Sequence, residues 1–185
     1  MNPDGFEGTP PTLDGEGVRQ RPLTQEHVPA MFLLFSDPQV VQYTSVALFV
    51  EPADAGRWIQ RGLDAFEDGS MYRWAIELDG DVVGTSMLFG IDRVHRHAEI
   101  GFAVLREFWG RRIVSRVIPP LLEFAFDRLR LHRVEADVEP HNTPSLLALE
   151  RCGFRREGVL RDRSFKLGRF HDSVILSILR TEWRP

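Results

Sequence analysis

The stretch from Ala98 to Arg116, AEIGFAVLREFWGRRIVSR, sets the tightest limit on what this chain can fold into. Ala98, Ile100, Phe102 and Val104 fall on one face of a strand, and Glu99, Gly101 and Ala103 on the other. Trp109, Gly110, Arg111 and Arg112 then turn the chain into a helical pattern. A strand that feeds a short turn and a helix start presents unpaired backbone N–H groups, and the helix dipole adds attraction for an anion. A phosphate-bearing cofactor is therefore the first expectation from these residues alone.

The rest of the chain supplies elements of both kinds around this stretch. The first seventeen residues are rich in Gly, Pro, Asp and Glu, with too few apolar side chains to offset the entropy of ordering, and read as a flexible tail (1–17). Residues 18–185 read as a single domain, since 185 residues with 43% apolar content suit one core and leave little for a second. Val18 to Pro22 suits a short strand near a sheet edge, with Thr24 as N-cap of a helix that carries Val28, Met31, Phe32 and Phe35 and stops at Asp37-Pro38. Residues 40–50 have no assignable pattern. Trp58, Ile59, Leu63 and Phe66 mark a second helix ending near Gly69, and each is read first as core. Met71 to Leu78 and Val82 to Phe89 form a hairpin through Asp79-Gly80, whose residues tolerate positive φ.

Beyond the turn, Ile113 to Leu131 is helical in pattern, but Pro119 and Pro120 leave the carbonyls of Ser115 and Arg116 without donors and predict a kink or a restart. His132 to Val138 reads as a strand, Thr143 to Cys152 as a helix stopped by Gly153, and Arg155 to Lys166 and Ser173 to Leu179 as two last strands joined near Leu167-Gly168. The order describes an α+β fold around one mixed, mostly antiparallel twisted sheet of about seven strands with about four helices.

Charge and cysteine content narrow the function. A net charge of −4 gives no broad basic field, which argues against nucleic acid as a partner. A single cysteine, Cys152, allows no internal disulfide and is read as an inert small core residue. No apolar run approaches the length of a membrane span, and the N-terminus lacks the basic and apolar regions of a signal peptide, so a cytoplasmic protein without a membrane partner is expected. His95 and His97 stand at strand spacing in a charged loop, yet no carboxylate or cysteine is seen to join them in sequence, and a solvated loop explains them.

The runs AEIGF, FWGRR and LHRVEADVEPHNTPSLLALERCGFRREGVLRDR resemble the GNAT superfamily of acetyl-CoA-dependent N-acetyltransferases, most closely the RimJ/RimL branch, whose founding members acetylate N-terminal amines of ribosomal proteins. The resemblance runs from about Val18 to Trp183. It implies a GNAT-like fold, acetyl-CoA as co-substrate, no metal, a primary amine as acceptor and, by family habit, a homodimer. It puts the pantetheine arm beside Phe102, Ala103 and Val104, the pyrophosphate on the backbone of Trp109, Gly110, Arg111, Arg112, Ile113 and Val114, and the acceptor between the first two helices. The family loop usually has glycine and a small residue where this chain has Arg112 and Val114, and Arg112 is strained if its position demands positive φ.

The resemblance also implies catalytic roles. Glu99 is the first choice for receiving the amine proton, with Glu135 as a second choice and an ordinary solvated carboxylate as the other reading of Glu99. Asn142 and Ser145 match the family's Asn-x-x-Ser signature. Asn142 would steady the cofactor arm, and Ser145, or a water it holds, would protonate the thiolate, since the tyrosine many GNAT enzymes place four residues further on is Leu149 here. Helix capping accounts for the same two residues in part. The expected reaction is acetyl transfer to a protein N-terminal α-amine by direct attack in a ternary complex. A polyamine or aminoglycoside acceptor, or a degenerate CoA-binding domain, are the alternatives.

Overall fold

Asp79 and Gly80, at φ of 53° and 92°, make the tight turn that joins strands β3 (Met71–Leu78) and β4 (Asp81–Asp92), and the sheet extends from this hairpin in both directions. The computed structural model describes residues 2–166 and 168–184. On one side lie β2 (Val18–Pro22) and β1 (Leu13–Gly15); on the other, β5 (His97–Val104), β6 (Arg133–Val138), β8 (Arg169–Leu179) and β7 (Arg155–Lys166), giving eight strands in the order β1-β2-β3-β4-β5-β6-β8-β7. All neighbours are antiparallel except β5 and β6. Those two are joined through helix α4 (Ile113–Glu123), as a parallel pair requires.

Helices cover both faces. Tyr72, Trp74, Leu88, Ala98 and Ile100 pack with Ile118, Leu121 and Leu122 of α4 on one side, joined by Leu146 and Leu149 of α5 (Thr143–Arg151). Ala75 and Ala103 pack on the other with Met31, Leu34 and Phe35 of α1 (Val28–Phe35) and Trp58 and Ile59 of α3 (Pro52–Glu67). Helix α2 (Pro38–Val41) lies between α1 and α3 in the chain.

Several expectations need correction. The N-terminal residues are packed rather than flexible. Asn2 donates from its amide to Tyr72 Oη at 2.8 Å, Asp4 is ion-paired to Arg93, Phe6 packs against the rings of Tyr72 and Phe124, and the Trp74 indole N–H donates to the Pro11 carbonyl at 2.8 Å. Their apolar content is indeed low, but Phe6 and Leu13 enter a core formed by the rest of the chain, and the polar groups satisfy buried partners. Leu13–Gly15 thus becomes β1 and takes the edge from β2, raising the strand count from seven to eight.

Asp37-Pro38 starts a helix as well as ending one. The Asp37 carboxylate accepts from the Gln39 N–H at 2.9 Å as N-cap of α2, and Pro38 needs no donor at N1, so the α-helices among the described residues number five. Helix α4 runs unbroken through Pro119 and Pro120 and loosens only afterwards, in a π turn over Phe124–Arg128. The Ser115 carbonyl, deprived of a helical donor, accepts from the Cys152 Sγ at 3.9 Å, a weak substitute from the residue that caps the end of α5. Asp92 does join the histidine pair, with His95 Nδ1 at 2.8 Å and His97 Nε2 at 3.9 Å from its carboxylate. Among the described residues no group of three or more His, Cys, Asp or Glu side chains is placed to hold a metal ion. Of the expected Leu167-Gly168 turn, Leu167 lies outside the described residues.

Candidate active site

The parallel ladder between β5 and β6 is short. It pairs His97 with Arg133, Ala98 with Val134 and Glu99 with Glu135, and then stops although both strands continue. Beyond Glu99 the strands part, and a cavity of about 560 Å³ opens between them, within the range of small-molecule sites. Glu99, Phe102, Ala103, Val104, Trp109, Gly110, Arg112, Ile113, Val114, Asn142 and Ser145 all lie on its wall. Arg111 does not; its guanidinium stands over the Phe108 ring at 4.9 Å.

The turn after β5 has the conformation an anion needs. The Trp109 indole N–H donates to the Val104 carbonyl at 2.7 Å and pins the chain back against the strand it has just left. Gly110 and Arg112 have φ of 76° and 56°, while Arg111 between them does not have positive φ. Alternation of this kind curls successive N–H groups into a concave nest. Arg112 is also the N-cap of α4 and supplies no side-chain cap, so the first-turn N–H groups of α4 are not capped by it. The position thus does take the left-handed conformation that makes a non-glycine residue strained, at a cost of about 1–2 kcal/mol. The Arg112 side chain is exposed, and Val114 packs inward on the core. Neither residue fills the turn. The donor set, the parted strands and the cavity fit a phosphorylated thioester such as acetyl-CoA.

Glu99 sits where the strands part and is half-buried. Burial raises its carboxyl above the ordinary glutamate range, and the carboxylates of Asp137 and Glu135 raise it further. Those two neighbours are engaged elsewhere. Arg133 Nε lies 2.5 Å from Glu135, and Arg163 Nε lies 3.4 Å from Asp137. Among the described residues Glu99 has no ion-pair partner, which separates it from the alternate base Glu135. At the start of α5, Asn142 Oδ1 accepts from the Ser145 N–H at 3.3 Å, so the capping reading holds, and the Ser145 residue faces the same cavity as Glu99.

The cavity extends past Glu99 into a second half that sequence reasoning did not resolve. Gln39, Tyr43 and Thr44 from α2 and the loop after it, Phe35 from α1, Trp58 from α3, and Met71, Arg73, Met87 and Phe89 from β3 and β4 form that half. Phe35 and Trp58 carried only a core signal, and residues 40–50 had no periodicity to read. Arg151, in the last turn of α5, also reaches the cavity and was not singled out.

A parallel strand pair that parts in mid-ladder over an uncapped helix start defines the class: an α+β fold with room for a long phosphorylated thioester on one side and an acceptor on the other. Comparison with known proteins gives the family. Residues 18–155 match the acetyltransferase (GNAT) domain, and the chain belongs to that family as an acetyl-CoA-dependent N-acetyltransferase. It is 34% identical to the uncharacterized N-acetyltransferase p20 of Bacillus licheniformis over 93% of this chain and 98% of that protein. It is 26% identical to the spermidine N(1)-acetyltransferase of Escherichia coli K12 over 90% of this chain and 88% of that one. Among solved structures, RimJ of Mycobacterium smegmatis in complex with CoA-disulfide superposes with a TM-score of 0.87 at 26% identity, covering 98% of this chain and 91% of its own. The RimJ/RimL resemblance drawn from the sequence holds in this sense. No helix among the described residues is long and apolar enough to cross a membrane.

Proposed function

We propose that the chain acetylates protein N-terminal α-amines by direct attack in a ternary complex, with Glu99 as proton acceptor and Ser145 as proton donor. The observation that carries this is the placement of Glu99: a half-buried carboxyl, raised in pKa and without an ion-pair partner among the described residues, at the point where the cofactor half of the cavity meets the acceptor half. Acetyl-CoA supplies a thioester carbonyl; a C–N bond to the amine forms as the C–S bond breaks. Glu99 takes the first proton from the ammonium, directly or through water; after attack the nitrogen sheds a second, which replaces the one that Ser145 or a water on it gives to the departing sulfur. The backbone of Gly101 to Val104, freed from β6, would hold the thioester arm, and the nest at Gly110 to Val114 would hold the pyrophosphate.

The size of the deprotonation step favours an α-amine. Neutralising an N-terminal amine at pH 7 costs about 1 kcal/mol, against roughly 4.6 kcal/mol for a lysine. One modest carboxylate is enough for the former. The relationship to a spermidine acetyltransferase supports a second reading, a polyamine acceptor. A panel of peptides with free N-termini, the same peptides blocked at the N-terminus but carrying lysine, and spermidine, each incubated with acetyl-CoA and read by thiol release and mass, separates the two. We expect turnover of the free N-termini, with loss on blocking. Turnover confined to spermidine would replace this reading with the second.

A further inference from the structure

We propose that Arg73 selects the acceptor by binding a carboxylate on it, so that the amine delivered to Glu99 belongs to an acidic chain. This deepens the reading above and rests on it. Arg73 lies on β3 with only 8% of its surface exposed, on the face covered by α1 and α3. Its guanidinium stands 3.7 Å from the centre of the Trp58 ring; Nη1 donates to the Trp58 carbonyl at 2.7 Å and Nη2 to the Met71 sulfur at 3.0 Å. Nε has no hydrogen-bond partner among the described residues. No carboxylate among the described residues pairs with this arginine, although thirteen arginine– or lysine–carboxylate pairs occur elsewhere in them. Burial and the nearby Arg61 bring its pKa down to about 10, which still leaves it charged at neutral pH.

A buried cation with no counter-ion is costly, and a methionine or leucine would fill the same space without that cost. The charge is useful if an anion arrives with the ligand. Arg73 borders the acceptor half of the cavity. Its register partner is Met87, which pairs in turn with Gly101 on β5, two residues from Glu99. Strand spacing then puts the Arg73 and Glu99 Cα atoms roughly 12 Å apart on one face, with both side chains long enough to shorten the gap. That span suits an α-amine and a carboxylate separated by one or two residues of a peptide. A polyamine, cationic along its whole length, would meet a like charge there.

The test uses matched short peptides with a free N-terminus: one with Asp in the second or third place, its Asn counterpart, and neutral dipeptides with a free or an amidated C-terminus. We expect kcat/KM about ten- to a hundredfold higher for each carboxylate form than for its amide, carried in KM, as a charge-assisted hydrogen bond allows. The Asp pair and the C-terminal pair tell a side-chain carboxylate from a terminal one. The preference should fall to near one in Arg73→Met and survive in part in Arg73→Lys, with melting curves showing that both variants fold. Equal rates for carboxylate and amide forms in the wild type, or a preference unaltered in Arg73→Met, would overturn the proposal. The same peptides are also read by melting-temperature shift with CoA bound. If no amine is turned over, the N-terminal acetylation reading fails on its own, while a carboxylate-specific shift lost in Arg73→Met still supports this site and an equal shift overturns it.

Discussion

Glu99 is a carboxyl whose folded-state pKa is raised, so two consequences of opposite sign follow from one residue. The base form gains population as pH rises through that raised pKa, and turnover should fall as the medium is made more acid than it. Folding, by contrast, favours the protonated form: the contribution of Glu99 to stability is greatest at low pH and declines as pH rises from the unfolded value through the folded one. Glu99→Gln is therefore expected to lower kcat/KM by about a hundredfold or more while raising the melting temperature at neutral pH. A variant that loses activity and melts lower would point to a structural role.

Two further residues make separate predictions. Burial pushes the Cys152 thiol up to about 11, so little thiolate exists at pH 8 and iodoacetamide should label the native chain far more slowly than the denatured one. Arg112→Gly relieves a strain of about 1–2 kcal/mol but frees the unfolded chain by about 0.5–1 kcal/mol. Urea unfolding of the ligand-free variant should thus differ from wild type by about 1.5 kcal/mol at most. The sequence had raised the question of positive φ at Arg112, because the loop of the family it resembles usually has glycine there. It had no way to raise Arg73. An arginine alternating with Tyr72 and Trp74 reads as the solvent side of a half-buried strand, and only the helices packed on that second face make it a buried cation.

At the scale of elements, the N-terminal segment shows what composition misses. A stretch too polar to fold alone can still be ordered by a core made elsewhere, and Phe6, Leu13 and Asn2 are enough to hold it. Deleting residues 1–11 removes the Phe6 ring contacts, worth about 1.5–3 kcal/mol, and hydrogen bonds worth about 1 kcal/mol each. The shortened chain should melt lower by roughly 7 to 20 °C and keep its response to acetyl-CoA, because none of the described residues in this segment borders the cavity. Where this segment meets α4, a Cβ on Gly15 would come 2.5 Å from the Arg116 carbonyl, the one that Pro120 leaves without a helical donor. Gly15→Ala should therefore cost about 1–3 kcal/mol. The proline pair was legible as a lost donor, but the contact of Cys152 with the Ser115 carbonyl comes from a distant part of the chain, and no local pattern announces that.

At the scale of the molecule, the strand-turn-helix run from Ala98 to Arg116 was legible because periodicity and turn chemistry agree over its whole length. What the sequence withheld is how far β5 and β6 stay together. Their ladder ends at Glu99 and Glu135, and the cavity that carries the proposed base opens where they part. The resemblance had put the acceptor between the first two helices, but the individual residues of that proposed half stayed hidden for a related reason: its wall is assembled from α1, α2, α3, β3 and β4, none of which carries a motif by itself. The most direct measurement is the melting temperature with and without acetyl-CoA. At about a hundred times the dissociation constant, binding adds roughly 2.7 kcal/mol, which should raise the midpoint by roughly 5 to 11 °C. A rise of that order is the predicted result, and an unchanged midpoint at millimolar acetyl-CoA would contradict the assignment of this cleft.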